Sequence, residues 1–251
     1  MKILAICGSP KRGNNYAMLN FIGESFPDLD YKIIMLNEVN LEQCKGCYVC
    51  IARGEELCPL KDDRDVILEE IEAADGIIMA TPVHVNHVSA LTKHFIGRIG
   101  FLAHRPRHFD KYLMPMAIAG GFGADEATKH IKGMFSVFGF NVVPLLELYI
   151  AAKEERDTQV NKDKTIAAMN KFIEEIKKGQ ARGQLPEPTL LRMIYFKIFK
   201  AISTLNPDAI ADYEYYKDKS EYYYPTRMNP FKKMLANRIS GKEIAKMTKD
   251  R

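Results

Sequence analysis

The amino-acid sequence predicts an α/β protein with a doubly wound, five-stranded parallel sheet of order 2-1-3-4-5. Three observations carry that expectation. Short apolar runs alternate with amphipathic stretches. Parallel strands require crossovers, which helices supply with a fixed right hand. A Gly- and Asn-rich loop follows the first apolar run, at the kind of sheet edge where open α/β proteins place their ligands. The strand candidates are Ile3 to Cys7, Lys32 to Leu36, Gly76 to Ala80, Leu113 to Ala119 and Asn141 to Leu148. Between and after them, helical periodicity runs over Tyr16 to Phe26, Asp65 to Ala74, Ser89 to Phe101, Asp125 to Phe138 and Lys162 to Lys178. With 251 residues the chain is long enough to bury a full core, and 47% hydrophobic with 27% charged residues is the composition of a globular protein, not of a disordered or membrane-spanning one. Residues 1–180 are the expected ligand-binding domain, with 36–64 as a cysteine-containing insertion. Residues 181–251 form a helical, Tyr-rich, basic extension.

The first loop reads Gly8-Ser9-Pro10-Lys11-Arg12-Gly13-Asn14-Asn15. Strand, small-residue loop and helix in that order present backbone N–H groups and a helix N-terminus, both of which favour a phosphate. Ser9, Asn14 and Asn15 add side-chain donors without bulk. A P-loop is excluded because Asn14 and Asn15 stand where the lysine and the magnesium-binding hydroxyl belong. The dinucleotide fingerprint fails at its second glycine, which is Pro10 here. Cys7 and Arg12 bracket 4 residues, one too few for the loop of small Cys-based phosphatases, and Cys7 reads as a buried strand residue.

Two further loops should converge with the first at the carboxyl edge of the sheet. One reads Thr81-Pro82-Val83-His84-Val85-Asn86-His87-Val88-Ser89, with Pro82 enforcing an extended entry and Ser89 able to cap the next helix. The other reads Gly120-Gly121-Phe122-Gly123, whose glycines let backbone approach a flat ligand. A phosphate cradle with two such walls suits flavin mononucleotide (FMN). The pattern Gly8-Ser9-Pro10-Lys11-x-Gly13-Asn14, the Thr81-Pro82-Val83 loop and Ser-Ala-Leu-x-Lys at Ser89 to Lys93 resemble the flavodoxin-like NAD(P)H-dependent FMN reductase superfamily over residues 1–180. That resemblance implies a flavodoxin-like fold. It also implies that Ser9, Lys11, Gly13, Asn14 and Asn15 hold the FMN phosphate, and that Thr81, Pro82, Val83, His84 and Asn86 with Gly120, Gly121, Phe122 and Gly123 hold the ring. His84 stands where relatives commonly have tyrosine, and Gly97 where many have the aspartate of an Asp-Arg pair. His84 is the candidate for hydride or proton transfer beside the flavin, with ring packing as its alternative role.

Four of the five cysteines, Cys44, Cys47, Cys50 and Cys58, fall in the insertion with spacing C-x2-C-x2-C-x7-C. Such thiolates can wrap an iron-sulfur cluster, sit metal-free or as a facile disulfide, or bind structural zinc, which more often takes paired C-x2-C knuckles. The pattern is similar to that of the iron-sulfur flavoproteins, a branch of the same superfamily, and that likeness implies a [4Fe-4S] cluster on these four residues. Asp62 and Asp63 read as a helix N-cap with first-turn charge.

From Leu190 onward 13 Lys/Arg face 7 Asp/Glu, an excess of +6 in a chain of net charge +4. After a linker at Leu185 to Pro188, Leu190 to Leu205 is amphipathic, a run of tyrosines ends at Pro225, and a basic helix spans Asn229 to Lys246. The extension is expected to pack on its own core or on a second subunit. Membrane-surface contact is the less favoured reading, a lid over the flavin stands open, and nucleic acid is not expected as a partner. Taken together, the sequence predicts a cytoplasmic homodimer, or a dimer of dimers, that passes electrons from NAD(P)H through FMN to an acceptor. A flavodoxin-like electron carrier without enzymatic activity is one alternative. The other is a quinone or nitro-compound reductase with structural cysteines.

Overall fold

A computed structural model describes residues 1–249. The chain runs β1 (Lys2–Cys7), α1 (Asn14–Ser25), β2 (Asp30–Met35), α2 (Val49–Ala52), α3 (Arg64–Ala73), β3 (Gly76–His84), β4 (His87–Val88), α4 (Ala90–Arg98), β5 (Tyr112–Ala119), α5 (Ala124–Val137), β6 (Asn141–Val142), β7 (Leu146–Tyr149), α6 (Lys153–Arg156), α7 (Gln159–Arg182), α8 (Leu190–Leu205), α9 (Ile210–Tyr216) and α10 (Pro230–Lys249). The sheet order β2-β1-β3-β5-β6 is the predicted doubly wound one, and its main-path pairs are parallel. The fifth position is held by two pieces. Leu113 pairs with Val142 but Met116 with Leu146, so one extra residue lies on the outer strand beside Pro144, which has no N–H to offer the ladder.

Alternation along the strands builds two cores. Leu4 and Ile6 of β1, with Ile77 and Met79 of β3, pack against α3, α4 and α5 on one face. Ile3, Ala5 and Cys7, with Ile78 and Ala80, pack against α1 and α7 on the other. Cys7 is fully buried, and burial pushes its thiol up to about 11, so the strand residue the sequence suggested is an inert one.

One expectation changes. The stretch from Thr81 to His84 continues β3 and folds back through β4, with His84 opposite His87, instead of forming a loop. Its turn residues Val85 and Asn86 have φ of 49° and 60°, the left-handed pair that a two-residue hairpin needs. A β-branched residue rarely accepts that conformation. The extension packs on its own chain, the reading favoured for it. It carries an aromatic core of its own around Phe196, Tyr216 and Tyr222, with α10 packed along α8. It docks on the rest of the fold through Arg192, whose guanidinium reaches the carbonyls of Ser136, Gly139 and Phe140 at the end of α5. Tyr215 reaches the carbonyl of Pro106, and Phe109 stacks on Tyr223 at 5.1 Å. Those contacts precede Tyr112 and Asn141, the first residues of β5 and β6, so the extension covers the amino end of the sheet and is no lid over the carboxyl edge of its own chain.

Where β1 meets α4 the backbone allows no side chain. A Cβ on Gly8 would lie 1.9 Å from Thr92 Oγ1. Gly8→Ala is therefore expected to cost about 2–3 kcal/mol in urea unfolding. Adding Thr92→Ala, which removes the obstructing oxygen, should cost less than the sum of the two single changes. Additive losses would mean that the contact does not limit this junction.

Candidate functional site

Backbone and hydroxyl contacts tie the first loop to β3 and α4. The Gly8 N–H donates to the Ala80 carbonyl at 2.8 Å, and Ser89 Oγ donates to the Gly8 carbonyl at 2.6 Å while accepting the Thr92 N–H as the cap of α4. Thr81 Oγ1 accepts from the Ser89 N–H and from Thr92 Oγ1, each at 3.0 Å. Thr81, Ser89 and Thr92 are all buried.

Above this junction lies the predicted cradle. Ser9 Oγ donates to the Lys11 carbonyl at 2.7 Å, so its proton shapes the loop. No side chain caps α1, which begins after Gly13 and leaves its first-turn N–H groups facing the loop. The Asn15 amide is buried and its oxygen has no partner among the described residues. A half-turn of that amide exchanges oxygen for nitrogen, which makes it a donor for an anion. Asn14 is half-buried and Lys11 exposed, whereas Arg12 turns away to a two-point ion pair with Glu38 at 2.8 Å.

The expected ring walls also meet. Gly123 has φ 88°, and a Cβ on it would lie 2.2 Å from Asn86 Oδ1 and 3.1 Å from Val83 Cγ1, so a glycine is required where the β5 loop crosses the hairpin. Gly120 and Gly121 have open space above them, and Phe122 is exposed. Pro82 and Val83 are half-buried on the strand, and His84 is exposed beside His87. His87 leans onto His130 of α5 at 4.4 Å between ring centres.

The four insertion cysteines line one cavity of about 320 Å³ with Arg98, Phe101 and His104. Cys44 and Cys47 are exposed, Cys50 is half-buried and Cys58 buried, and none is bridged. Burial pushes the Cys50 thiol up, Arg105 opposes it, and the other three thiols add to the rise, so the group shares one electrostatic neighbourhood. Among the described residues no three His, Cys, Asp or Glu side chains converge as ligands of a single ion.

The insertion lies along α4. The Glu42 carbonyl is 2.9 Å from His94 Nε2, and Arg98 at the helix end makes a two-point pair with Asp62 at 2.8 Å. The side chains of Arg98 and Asp62 are 2% and 1% exposed. Arg98 Nη1 also reaches Cys58 Sγ at 3.7 Å. Asp62 accepts the Glu42 N–H and Asp63 the Asn40 N–H, so the two carboxylates close the neck of the insertion. The capping role expected for them is corrected at Asp63, which holds the N-cap position without a side-chain cap, whereas Asp62 accepts the N–H of Arg64, the first residue of α3, at 3.2 Å. The neck also supplies an arginine-aspartate pair that the sequence did not reveal, because the partner of Arg98 is 36 residues away instead of adjacent at Gly97.

Burial raises the Asp62 carboxyl, but hydrogen bonds from Arg98 and from the Glu42 and Arg64 N–H groups, with the Arg98 charge, leave it below the ordinary carboxylate range. A carboxyl depressed on folding stabilises the fold above its unfolded pKa and loses that contribution as pH falls through its folded pKa. Arg98→Leu leaves Asp62 buried without its cation and is expected to cost about 3–5 kcal/mol at neutral pH. The loss should shrink as pH falls through the acid range and Asp62 protonates; a pH-independent loss in urea melts would show that the pair is not the cause.

The sequence profile of the NADPH-dependent FMN reductase family matches residues 1–155. An iron-sulfur flavoprotein of Methanosarcina thermophila is 38% identical over 153 residues, covering 55% of this chain and 77% of that protein. Another, from Clostridioides difficile strain 630, is 27% identical over 224 residues, covering 86% and 95%. For three further curated relatives, from Archaeoglobus fulgidus and Methanocaldococcus jannaschii, the chain spans 48% to 66% of their length. The crystal structure of RosB with bound 8-demethyl-8-formylriboflavin-5'-phosphate shares the fold at a TM-score of 0.59 and 11% identity over 92% of each chain. The profile match and the identity to the Methanosarcina protein together place this chain in the NADPH-dependent FMN reductase family, within its iron-sulfur flavoprotein branch.

Proposed function

We propose that the chain is an FMN-dependent NAD(P)H oxidoreductase whose insertion cysteines hold a [4Fe-4S] cluster, and that it acts as a homodimer. The observation that carries this reading is the donor-rich cradle of residues 8–15, joined through Gly8, Ser89 and Thr81 to the hairpin and glycine walls at one sheet edge. The cradle and walls would hold FMN, which would supply the conversion of hydride reduction by NAD(P)H into single-electron transfer, and Cys44, Cys47, Cys50 and Cys58 would hold a cluster able to take single electrons. The protein's part is to bind and shape. The α1 N-terminus, Asn15 and Lys11 offer donors and charge to the phosphate, the open floor at Gly120 and Gly121 admits a flat ring, and the rigid 83–86 hairpin walls it. His84, exposed at that hairpin, is the candidate to place a proton near the ring.

For the cysteines, the arrangement favours a cluster over a single zinc ion. Zinc draws four thiolates to one point, whereas a cubane gives each thiolate its own iron and accepts a wider spread. Four thiols around one cavity with no single-ion convergence suit the second case. The cradle joins the N-terminal end of α4 and the cavity its C-terminal end, a separation of about 13 Å along a helix of that length. A dimer in which one subunit's cavity faces the other's flavin site would shorten the path. Exposed Val85 and Phe122 at the flavin edge offer apolar surface for that contact. Five unbridged thiols are in keeping with a reducing cytoplasm, and no helix among the described residues is long and apolar enough to cross a membrane.

Protein purified without oxygen tests the proposal by its absorbance before and after NADPH, with iron measured on the same sample. The expected result is bleaching flavin bands with about four irons per chain, and Cys50→Ser should lose the iron while keeping FMN. Bleaching without iron leaves a simple reductase with spare thiols. Bound flavin that no pyridine nucleotide reduces favours an electron carrier, and failure to bind FMN overturns the proposal at its first loop.

A further inference from the structure

The extension docks beside the cysteine insertion through a relay of charged groups. Arg105 lies just beyond the turn that follows α4 and is 8% exposed in its side chain; Asp212 of α9 is 2% exposed. One guanidinium nitrogen donates to Asp212 Oδ1, and the other to the Cys50 carbonyl and, at 2.7 Å, to Glu55 Oε2. The second oxygen of Asp212 is 2.7 Å from Nδ1 of His104, which lines the cysteine cavity. Tyr216 Oη donates to the His104 carbonyl at 2.6 Å, and α9 packs against α2, the helix that carries Cys50.

The segment so held has little order of its own. α2 has 4 residues, too few for an isolated helix, and no buried side chain. Its N-cap Tyr48 has φ 60°, as Gly46 has φ 63°. A planar guanidinium with three acceptors fixes direction as well as charge, which a flexible ammonium does not. Aromatic docking of the extension would not require Arg105 to extend to the Cys50 backbone. Nor would it require a buried carboxylate behind that arginine, where each charge is costly without the other.

We propose that the C-terminal extension clamps the cysteine loop, with Asp212 as a positioning residue that orients the Cys50 segment through Arg105; its purpose rests on the reading of these cysteines as cluster ligands. Without Asp212 the guanidinium keeps Glu55 but loses the anchor that aims it at the Cys50 carbonyl.

Amide exchange across residues 49–53 of the full metal-free chain tests the clamp, followed by the rate of iron loss to a chelator after reconstitution. In Asp212→Asn, exchange at 49–53 is expected to rise about tenfold or more, the scale of one lost charge-assisted hydrogen bond, while peptides from β1 and β3 keep their protection. Arg105→Lys, which retains the charge but not the fork, should resemble Asp212→Asn. Tyr216→Phe, which loosens the same docking face without touching Arg105, should leave 49–53 at the wild-type rate. Iron should leave Asp212→Asn faster by a similar factor. Unchanged exchange in Asp212→Asn overturns the clamp, and so does equal acceleration in Tyr216→Phe. Rescue by Arg105→Lys overturns the orienting role. Wild-type protein that takes up no iron, while Asp212→Asn still frees 49–53, sinks the cluster reading and leaves the clamp standing. Wild-type protein that holds iron, with Asp212→Asn identical to it in both measurements, sinks the clamp alone.

Discussion

Ser89 holds the carbonyl of Gly8 and the amide of Thr92 at once, and Thr92 reaches on to Thr81, so that β1, β3 and α4 meet through buried hydroxyls. Each of these groups would be costly to bury alone, and each has its partner here. The network also excludes alternatives. Gly8 has no room for a side chain, the first loop cannot lift away without breaking a buried bond, and the direction of α4 is set at its first turn. The first loop, the hairpin at 83–86 and the line of α4 therefore share one mechanical origin.

At the other end of α4 a second polar junction repeats the device with charge in place of hydroxyls. Arg98 and Asp62 are both buried, so the pair is held by hydrogen-bond satisfaction as much as by attraction, since two desolvated charges gain little from Coulomb energy alone. Asp62 spends its remaining capacity on backbone N–H groups of the insertion. The insertion thus hangs from the far end of the helix whose near end is locked to the loops of the proposed flavin site. A nine-residue helix fixed at both ends transmits position between the two sites without any contact between them.

The sheet was legible because parallel strands covered on both faces must be apolar runs, and Ile3 to Cys7 and Gly76 to Ala80 are such runs. The helix Leu190–Leu205 was legible to the residue because its periodicity is strong and Thr189 caps it. The hairpin at 84–87 was not, because Val85-Asn86 lacks the glycine that marks a two-residue turn, and the position is held by its surroundings against local preference. Long-range partners were equally hidden. Nothing near Arg98 announces Asp62, and Asp212 is 107 residues from Arg105. The grouping of the four cysteines around one cavity was readable because their spacing is local. The groups that hold them in place were not, because they come from α3, from the end of α4 and from the extension.

That division explains why the insertion can be so irregular. Between α2 and the single turn at Glu55–Leu57 it has no core of its own, and Tyr48 and Leu57 are exposed. Three arginines supply what the rest of it lacks: Arg64, at its border with α3, binds the Glu55 carbonyl, and from outside it Arg98 binds Asp62 and Cys58 and Arg105 binds the Cys50 carbonyl and Glu55. Their charge has a second effect. Thiols brought into one cavity oppose one another's ionisation, and nearby positive charge offsets that opposition. Arg98 Nη1 reaches Cys58 Sγ, and Arg105 opposes the rise that burial imposes on the Cys50 thiol, so Arg105 both fixes the loop and offsets part of the cost of a thiolate at Cys50. Loop order and the state of the Cys50 thiol are therefore coupled through the Arg105 guanidinium, and a change to that arginine disturbs both.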